Sequence, residues 1–308
     1  MTPTDTTAAA NWHIANLDSP VDGVPIRFGV YRPKQKKPSR AVLLLNGRSE
    51  WIEKYAEVPD WIQLSDDILW VTLDHRGQGD SGGARAFVAH YDDYAADAAS
   101  VMEAVAEDLP YAIISHSMGG LVALHGTLRG QLKPVALGLC SPLLAMPNSP
   151  LPRKIARPLS RVVSKTVFRQ QPTGIGSQKK HRFAGNHLTS SFTGFGIVRG
   201  SPYLFISPTF GWIEATFDAC DRVFDPETLK KLQVPVRIIG GSQEQVIDPA
   251  GWSSWCMEAA HHTQAPIEFY RVSQGRHELL NEIPRVRNQT IALLKGWLQK
   301  YLSPQAPE

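Results

Sequence analysis

The tract YAIISHSMGGLVAL at 111–124 holds the residues whose types and spacing best suit covalent chemistry. A strand-like run leads through S-H-S-M-G-G into an apolar helical pattern. A nucleophilic serine is typically displayed in a G-x-S-x-G elbow. The chain turns there so sharply from strand to helix that larger side chains two before or two after would collide with their neighbours. Ser115 replaces the first glycine, Gly119 and Gly120 keep the second half, and Ser117 takes the nucleophile position. Serine is small enough for that first place. At the start of the following helix, the free amides and the dipole favour the negative charge that develops when a serine attacks an acyl carbonyl. A plain strand–turn–helix with a capping serine would show the same local pattern, so the partners must decide.

An acyl-transferring serine needs a histidine base and a carboxylate to orient it, and on a strand-to-helix elbow these follow in the order nucleophile, acid, histidine. Two later strand-to-loop passages fit: VRII into GGSQEQVIDPAG, and IEFYRV into SQGRHELLNE. The second presents His277 just past Gly275 and ahead of the last helical pattern. His75, His90, His116, His261 and His262 lack either that context or that order. The first offers two acids. Asp248 precedes Pro249 and an apolar run through Met257, the signature of a helix N-cap whose carboxylate is occupied by backbone amides. Glu244, a few residues after the strand, is freer to accept the imidazole Nδ1 proton and is favoured, with Asp248 as the alternative. An oxyanion needs two amides. One is that of Met118, after the nucleophile. The other is that of Arg48, in the N-G-R-S-E turn where Gly47 permits close approach. The Arg48 side chain is left to meet Glu50 or an anionic group of the substrate.

Positioning these groups calls for a sheet whose strands end at one edge. Apolar, β-branched-rich runs at 26–31, 42–46, 68–73, 112–115, 135–139, 234–239 and 267–271 read as strands, with helical patterns at 92–107 and 283–302. The run AVLLLN shows no alternation, as expected of a parallel strand covered on both faces. The fold class is therefore α/β, a mostly parallel central sheet flanked by helices. From 141 to 225 the pattern breaks into a Pro-, Gly-, Ser- and aromatic-rich basic stretch too long for a structureless loop. That stretch predicts an inserted, mainly helical cap, dividing the chain into core 1–140, cap 141–225 and core 226–308.

Composition sets the remaining bounds. The chain has 308 residues, 43% of them hydrophobic and 20% charged, as an ordinary globular domain has. Three cysteines without a CxxC pair argue against a disulfide framework or a cysteine zinc site and suit a reducing cytoplasm. They read as small buried hydrophobes. No metal or other cofactor is called for. The opening MTPTDTTAAANWH lacks the basic start and apolar run of a signal peptide. No apolar run is long enough to span a bilayer. The net charge of +3 conceals an uneven distribution: between residues 109 and 213 there are twelve Lys and Arg and no Asp or Glu, so the rest is acidic overall.

Within the basic stretch, Leu151, Ile155, Leu159, Val162, Val163 and Val167 fall at helical spacing, and Arg153, Arg157, Arg161, Lys165 and Arg169 recur every four residues. This pattern fits a basic amphipathic helix lying on an anionic membrane, or equally a cap helix with its apolar face on the domain. Pro158 is placed to kink or split it. No nucleic-acid-binding motif accompanies the charge.

Five tracts, LLLNGRSEWIEKYAEV, LDHRGQGDSGG, SHSMGG, GSQEQVID and QGRHELLNE, in this order, resemble the lysophospholipase and monoacylglycerol lipase group of α/β-hydrolases, above all the bacterial lysophospholipases. NHLTSS and PTFGWI agree more weakly. The resemblance implies the α/β-hydrolase fold and an acyl-ester hydrolase whose cap forms the acyl pocket. Ser117, His277 and Glu244 would be its catalytic residues, and the Arg48 and Met118 amides its oxyanion hole. Asn46 stands where the group usually has histidine, Ser115 where it has the elbow glycine, and Glu244 where the wider group usually has aspartate. In LDHRGQGDSGG, Asp74 and Arg76 read as residues that hold a loop together. The expected substrate is a single-chain lipid ester, foremost a lysophospholipid, with peripheral contact to the inner face of the membrane through the basic cap. The alternatives are a monoacylglycerol lipase or general carboxylesterase, and a non-catalytic ligand-binding protein that keeps the fold. An aminopeptidase is disfavoured, because the basic cap offers no carboxylate for a free amino group. The sequence leaves the oligomeric state open.

Overall fold

A computed structural model describes residues 11–32, 37–106, 108–146, 153–174, 182–204 and 207–303. Eight strands form one sheet: β1 (Trp12–Asp18), β2 (Pro25–Tyr31), β3 (Arg40–Leu45), β4 (Ile68–Leu73), β5 (Tyr111–His116), β6 (Ala136–Cys140), β7 (Val236–Gly241) and β8 (Ile267–Val272). Their order is β1-β2-β4-β3-β5-β6-β7-β8. The β1–β2 and β2–β4 pairs are antiparallel and the rest are parallel. All seven strands read from the sequence are present. β1 was not anticipated, because it is an edge strand with most of its residues exposed and carries no apolar pattern.

Successive side chains of a strand point to opposite faces, and the core divides accordingly. Ala41, Leu43 and Leu45 of β3 join one buried cluster, whereas Val42 and Leu44 join the other. Helices α1 (Val58–Ile62), α2 (Tyr91–Ala106) and α3 (Met118–Leu128) cover the two faces in turn. The cluster around α2 and α3 includes Tyr91, Tyr94, Leu121 and Leu124, while α1 lies on the opposite face.

Between β6 and β7 the described chain adds no strand to the sheet. It forms α4 (Arg153–Val163), a 3-10 turn at Val167–Gln170, α5 (Phe192–Gly200), α6 (Phe210–Val223) and α7 (Pro226–Leu229). Trp212, Phe217 and Cys220 of α6 lie in the same core cluster as the sheet. After β7 come α8 (Ala250–His262) and, past β8, α9 (Pro284–Leu302), whose Trp297 and Leu298 are fully buried.

The amphipathic stretch departs from expectation in two ways. It is not one helix through Arg169: α4 runs unbroken through Pro158, ends at Val163, and the chain turns before Thr166 caps the 3-10 segment. Nor does its apolar face rest on the domain. Ile155, Leu159, Val162 and Val167 are 56%, 50%, 65% and 87% exposed. The inward side is polar, with Arg157 paired to Asp221 and Asp218 of α6, and Ser160 donating to Glu214 at 2.7 Å. Acidic residues on α6 therefore outcompete the core for this helix. Leu151, Lys179, Lys180 and the N-terminal tract lie outside the described residues. Of the cysteines, Cys140 and Cys220 are buried and Cys256 is half-buried.

Candidate active site

The parallel register pairs Leu45 with Ser115, so the turns leaving β3 and β5 lie side by side. Ser117 occupies the second turn with φ 50° and ψ −114°, a left-handed backbone that a non-glycine residue adopts only when its surroundings impose it. Its amide donates to Cys140 O at 3.0 Å, and its carbonyl accepts from Leu143 at 2.9 Å and Gly120 at 3.0 Å. The steric argument for small elbow residues can be read directly. A Cβ on Gly119 would sit 2.3 Å from Leu45 O, and one on Gly120 would sit 2.6 Å from Pro142 Cβ. Ser115 fits in the first elbow place, 3% exposed.

Three side chains from three loops meet at Ser117. His277 Nε2 lies 3.0 Å from Ser117 Oγ, and its Nδ1 lies 2.7 Å from Glu244 Oε2. A carboxylate only accepts, so Nδ1 carries the proton and Nε2 is left to take one from the serine. Glu244 Oε1 accepts from the amides of Val246 at 2.6 Å and Ile247 at 3.2 Å. Burial alone would raise the Glu244 carboxyl, but His277 and those amides hold it below its ordinary value. Asp248 is engaged elsewhere, though not as the expected N-cap: its Oδ1 accepts from Ala250 N at 3.0 Å just before α8, whose N-cap is Pro249.

Met118 opens α3, so its amide is among the unpaired donors of a helix start. Arg48 follows Gly47 in the adjoining turn. Its guanidinium lies 5.5 Å over the Trp212 ring, and burial lowers its proton affinity. Glu50 is held by other groups: His116 Nδ1 donates to its Oε1 at 2.9 Å, Lys54 Nζ at 2.6 Å, and Tyr55 Oη donates to Oε2 at 2.8 Å. The Gly47 amide also donates to Oε2.

His116 is the residue that sequence reasoning set aside. Its Nε2 lies 3.2 Å from the carbonyl oxygen of His277, and the two rings meet edge to face at 4.8 Å. Both partners of His116 are pure acceptors, so both contacts favour the doubly protonated, charged ring. Burial opposes that charge, but Glu50 overrides it and raises the His116 pKa. Lys54, 1% exposed, also reaches Glu278 Oε2 at 3.0 Å, next to the base. Only the i,i+4 spacing of Glu50 and Lys54 was visible in the sequence.

The other singled-out residues are structural. Asp74 accepts from Arg27 Nη1, Ile52 N and Asp80 N, each at 2.9 Å. Arg76 makes two bonds to Asp97, at 2.7 and 2.8 Å. His75 is buried, which pushes its pKa down to about 4. Asn46 donates to Leu73 O at 3.0 Å and so ties the end of β3 to β4. Among the described residues, no group of His, Cys, Asp and Glu could hold a metal ion.

A mostly parallel eight-stranded sheet with a serine elbow and a histidine–carboxylate pair at one edge defines the α/β-hydrolase class. Solved structures share it: a monoglyceride lipase from Saccharomyces cerevisiae superposes with a TM-score of 0.78 at 19% identity, covering 97% of each chain. Residues 36–284 match the Hydrolase_4 family, described as Serine aminopeptidase, S33, and the chain belongs to that family. Over 297 residues it is 25% identical to the monoglyceride lipase of Homo sapiens, covering 94% of this chain and 90% of the relative. Over 103 residues it is 33% identical to the monoacylglycerol lipase of Mycolicibacterium smegmatis, covering 32% of this chain and 36% of the relative. It is thus a serine hydrolase of the group of carboxylic ester hydrolases that includes the monoglyceride lipases. No described helix is long and apolar enough to cross a membrane.

Proposed function

We propose that the chain hydrolyses carboxylic esters of single-chain lipids, foremost lysophospholipids, through an acyl-enzyme on Ser117. The observation that carries this reading is the Glu244–His277–Ser117 chain of contacts at 2.7 and 3.0 Å. Ser117 Oγ attacks the ester carbonyl as its proton passes to His277 Nε2, and the Arg48 and Met118 amides hold the oxyanion. Collapse expels the alcohol, which takes the proton from His277. A water then gives its proton to the same nitrogen and attacks the acyl-enzyme; collapse frees the fatty acid and returns that proton from His277 to Ser117 Oγ. Glu244 keeps the imidazole in its tautomer and supports the imidazolium without itself becoming protonated.

The region 141–225 serves in this reading as a cap over the acyl chain. Its outward surface combines the exposed apolar residues of α4 with Lys165 and Arg169, which suits an anionic lipid surface on the cytoplasmic side. A phosphate-bearing single-chain lipid matches that charge. The whole-length likeness to a human monoglyceride lipase favours monoacylglycerol as the second reading.

A substrate panel separates the two, with Ser117→Ala as the blank. Lysophosphatidylethanolamine is expected to be cleaved with the highest kcat/KM, ahead of monoacylglycerol and p-nitrophenyl esters of several lengths. A clear win for monoacylglycerol or a short soluble ester removes the first choice. For the membrane contact, flotation with anionic vesicles should carry the wild type and leave an Ile155→Ser/Val162→Ser double variant behind.

A further inference from the structure

The loop bearing His277 is bonded on both sides of that residue to one short stretch of the insertion, 186–194. Before it, Arg276 Nη1 donates to the carbonyls of Asn186 and Thr189, each at 3.0 Å. After it, the Glu278 amide donates to Leu188 O at 2.9 Å. Thr189 Oγ1 donates to Asn281 O at 2.8 Å, and Asn281 Nδ2 donates to Gly194 O at 3.0 Å and to Glu278 Oε2 at 2.8 Å. Glu282 Oε1 accepts from the Ser190 amide at 2.9 Å and from the Arg276 amide at 3.3 Å, joining both chains through one carboxylate.

These bonds are partly buried, with Ser190, Arg276 and Asn281 half-exposed at the rim and three partners inside. Thr189, Glu282 and Asn186 are 0%, 2% and 3% exposed, so a bond lost there is not replaced by water at no cost. The stretch is shaped for the contact, since Asn186 Oδ1 folds it by accepting from Leu188 N at 2.9 Å and Thr189 N at 3.0 Å. The approach is also close: a Cβ on Gly194 would stand 2.3 Å from Asn281 O. A stretch that only lined an acyl pocket would need apolar side chains facing the lipid, not six polar bonds to one catalytic loop.

We propose that residues 186–194 are a positioning strut for His277, with Thr189, Arg276 and Glu282 as its positioning residues, so that this part of the insertion belongs to the catalytic scaffold. This rests on the serine-hydrolase reading above but not on which ester is preferred. The strut fixes the backbone on either side of the imidazole, and a base displaced by about 1 Å can cost on the order of 100-fold in rate.

Thr189→Val, Arg276→Met and Glu282→Ala test it, with Glu282→Gln as the conservative variant that keeps an accepting oxygen. Each is assayed on p-nitrophenyl acetate, which needs no acyl pocket, on a long-chain ester, and by the rate of fluorophosphonate labelling of Ser117. For the first three, kcat is expected to fall about 10- to 100-fold on both esters with KM within about twofold. Labelling should slow in parallel, and Glu282→Gln should recover most of the loss. Unchanged turnover of the acetate with a raised KM for the long ester overturns the strut, because the stretch then only shapes the pocket. An equal loss in Glu282→Ala and Glu282→Gln that follows the lost folded fraction by circular dichroism overturns it as well. A wild type that cleaves no ester and takes no label overturns the hydrolase reading and the strut together; a labelled wild type with unaffected variants overturns the strut alone.

Discussion

Glu244 and Glu50 are both buried carboxylates, each accepting from an imidazole Nδ1 and from a backbone amide. Their imidazoles nevertheless have opposite prospects. His277 presents its second nitrogen to a hydroxyl at 3.0 Å, which can give up a proton. His116 presents its own to a carbonyl, which cannot. Glu50 is further surrounded by Lys54 and Tyr55, so its pair is charged and neutralised before any substrate arrives. Among the described residues, Glu244 accepts only from backbone amides besides His277, and in the proposed mechanism it keeps its support for a charge that appears during turnover. In that proposed mechanism the same pair of residue types is thus a fixed brace in one place and a proton carrier in the other. What faces the far ring nitrogen decides which.

The largest effect that sharpens this contrast comes from the two histidines. Replacing His277 by alanine should lower kcat by on the order of 10⁴- to 10⁶-fold, as loss of the base does in a serine hydrolase. His116→Gln keeps a donor for the His277 carbonyl and should cost about 10- to 100-fold by loosening the Glu50 brace. Steady-state rates on one soluble ester measure both. Comparable losses would mean that His116 takes part in proton transfer and would break the distinction.

The carboxylates come next. Glu244→Gln should lower kcat by about 10³- to 10⁴-fold, since the imidazole loses its tautomer control. Asp248→Asn should stay within about threefold, because its carboxylate serves the start of α8. Glu50→Gln should fall between them. It should also lose more stability in urea than Glu244→Gln, as it takes the counter-charge from the buried His116 and leaves Lys54 with Glu278 alone; breaking a buried pair costs about 3–5 kcal/mol. If Asp248→Asn proves the more damaging, the acid assignment is reversed.

How much of this the chain discloses by itself follows from the range of each interaction. Strands covered on both faces leave unbroken apolar runs, so β3 to β7 could be read; β2 and the edge strand β8 kept enough apolar and β-branched residues to be read as well, whereas the exposed edge strand β1 left no pattern. Ser117, His277 and Glu244 were legible because each sits in a local strand-to-loop context whose order along the chain is constrained. Glu50 and His116 meet from 66 residues apart, and Thr189 meets Asn281 from 92, with no spacing rule to announce either contact. The orientation of α4 was hidden for a related reason. The sequence left two orientations open because the acidic partners of α4, Glu214, Asp218 and Asp221, belong to another helix.

The smallest effect tests the comparison through pH. The His116 pKa is raised on folding, so its contribution to stability is fully present below its unfolded value, about 6.5, and is lost as pH rises through the folded value. The Glu244 pKa is lowered, so its contribution is present above its unfolded value, about 4.3, and is lost as pH falls through the folded value. Urea denaturation of His116→Gln against wild type should therefore give a stability gap that is widest below about pH 6.5 and narrows on the alkaline side. Glu244→Gln should give a gap that narrows only on the acid side of about pH 4.3. Both gaps also contain pH-independent packing terms, so the slopes carry the information and the offsets do not. A His116→Gln gap that stays flat from pH 5 to 9 would mean that folding leaves the ring's proton affinity unchanged, and one that widens as pH rises through about 6.5 would mean that the ring is neutral in the folded chain. The Glu50 site would then be no more pre-charged than the Glu244 site, and the two carboxylates would differ only in their neighbours.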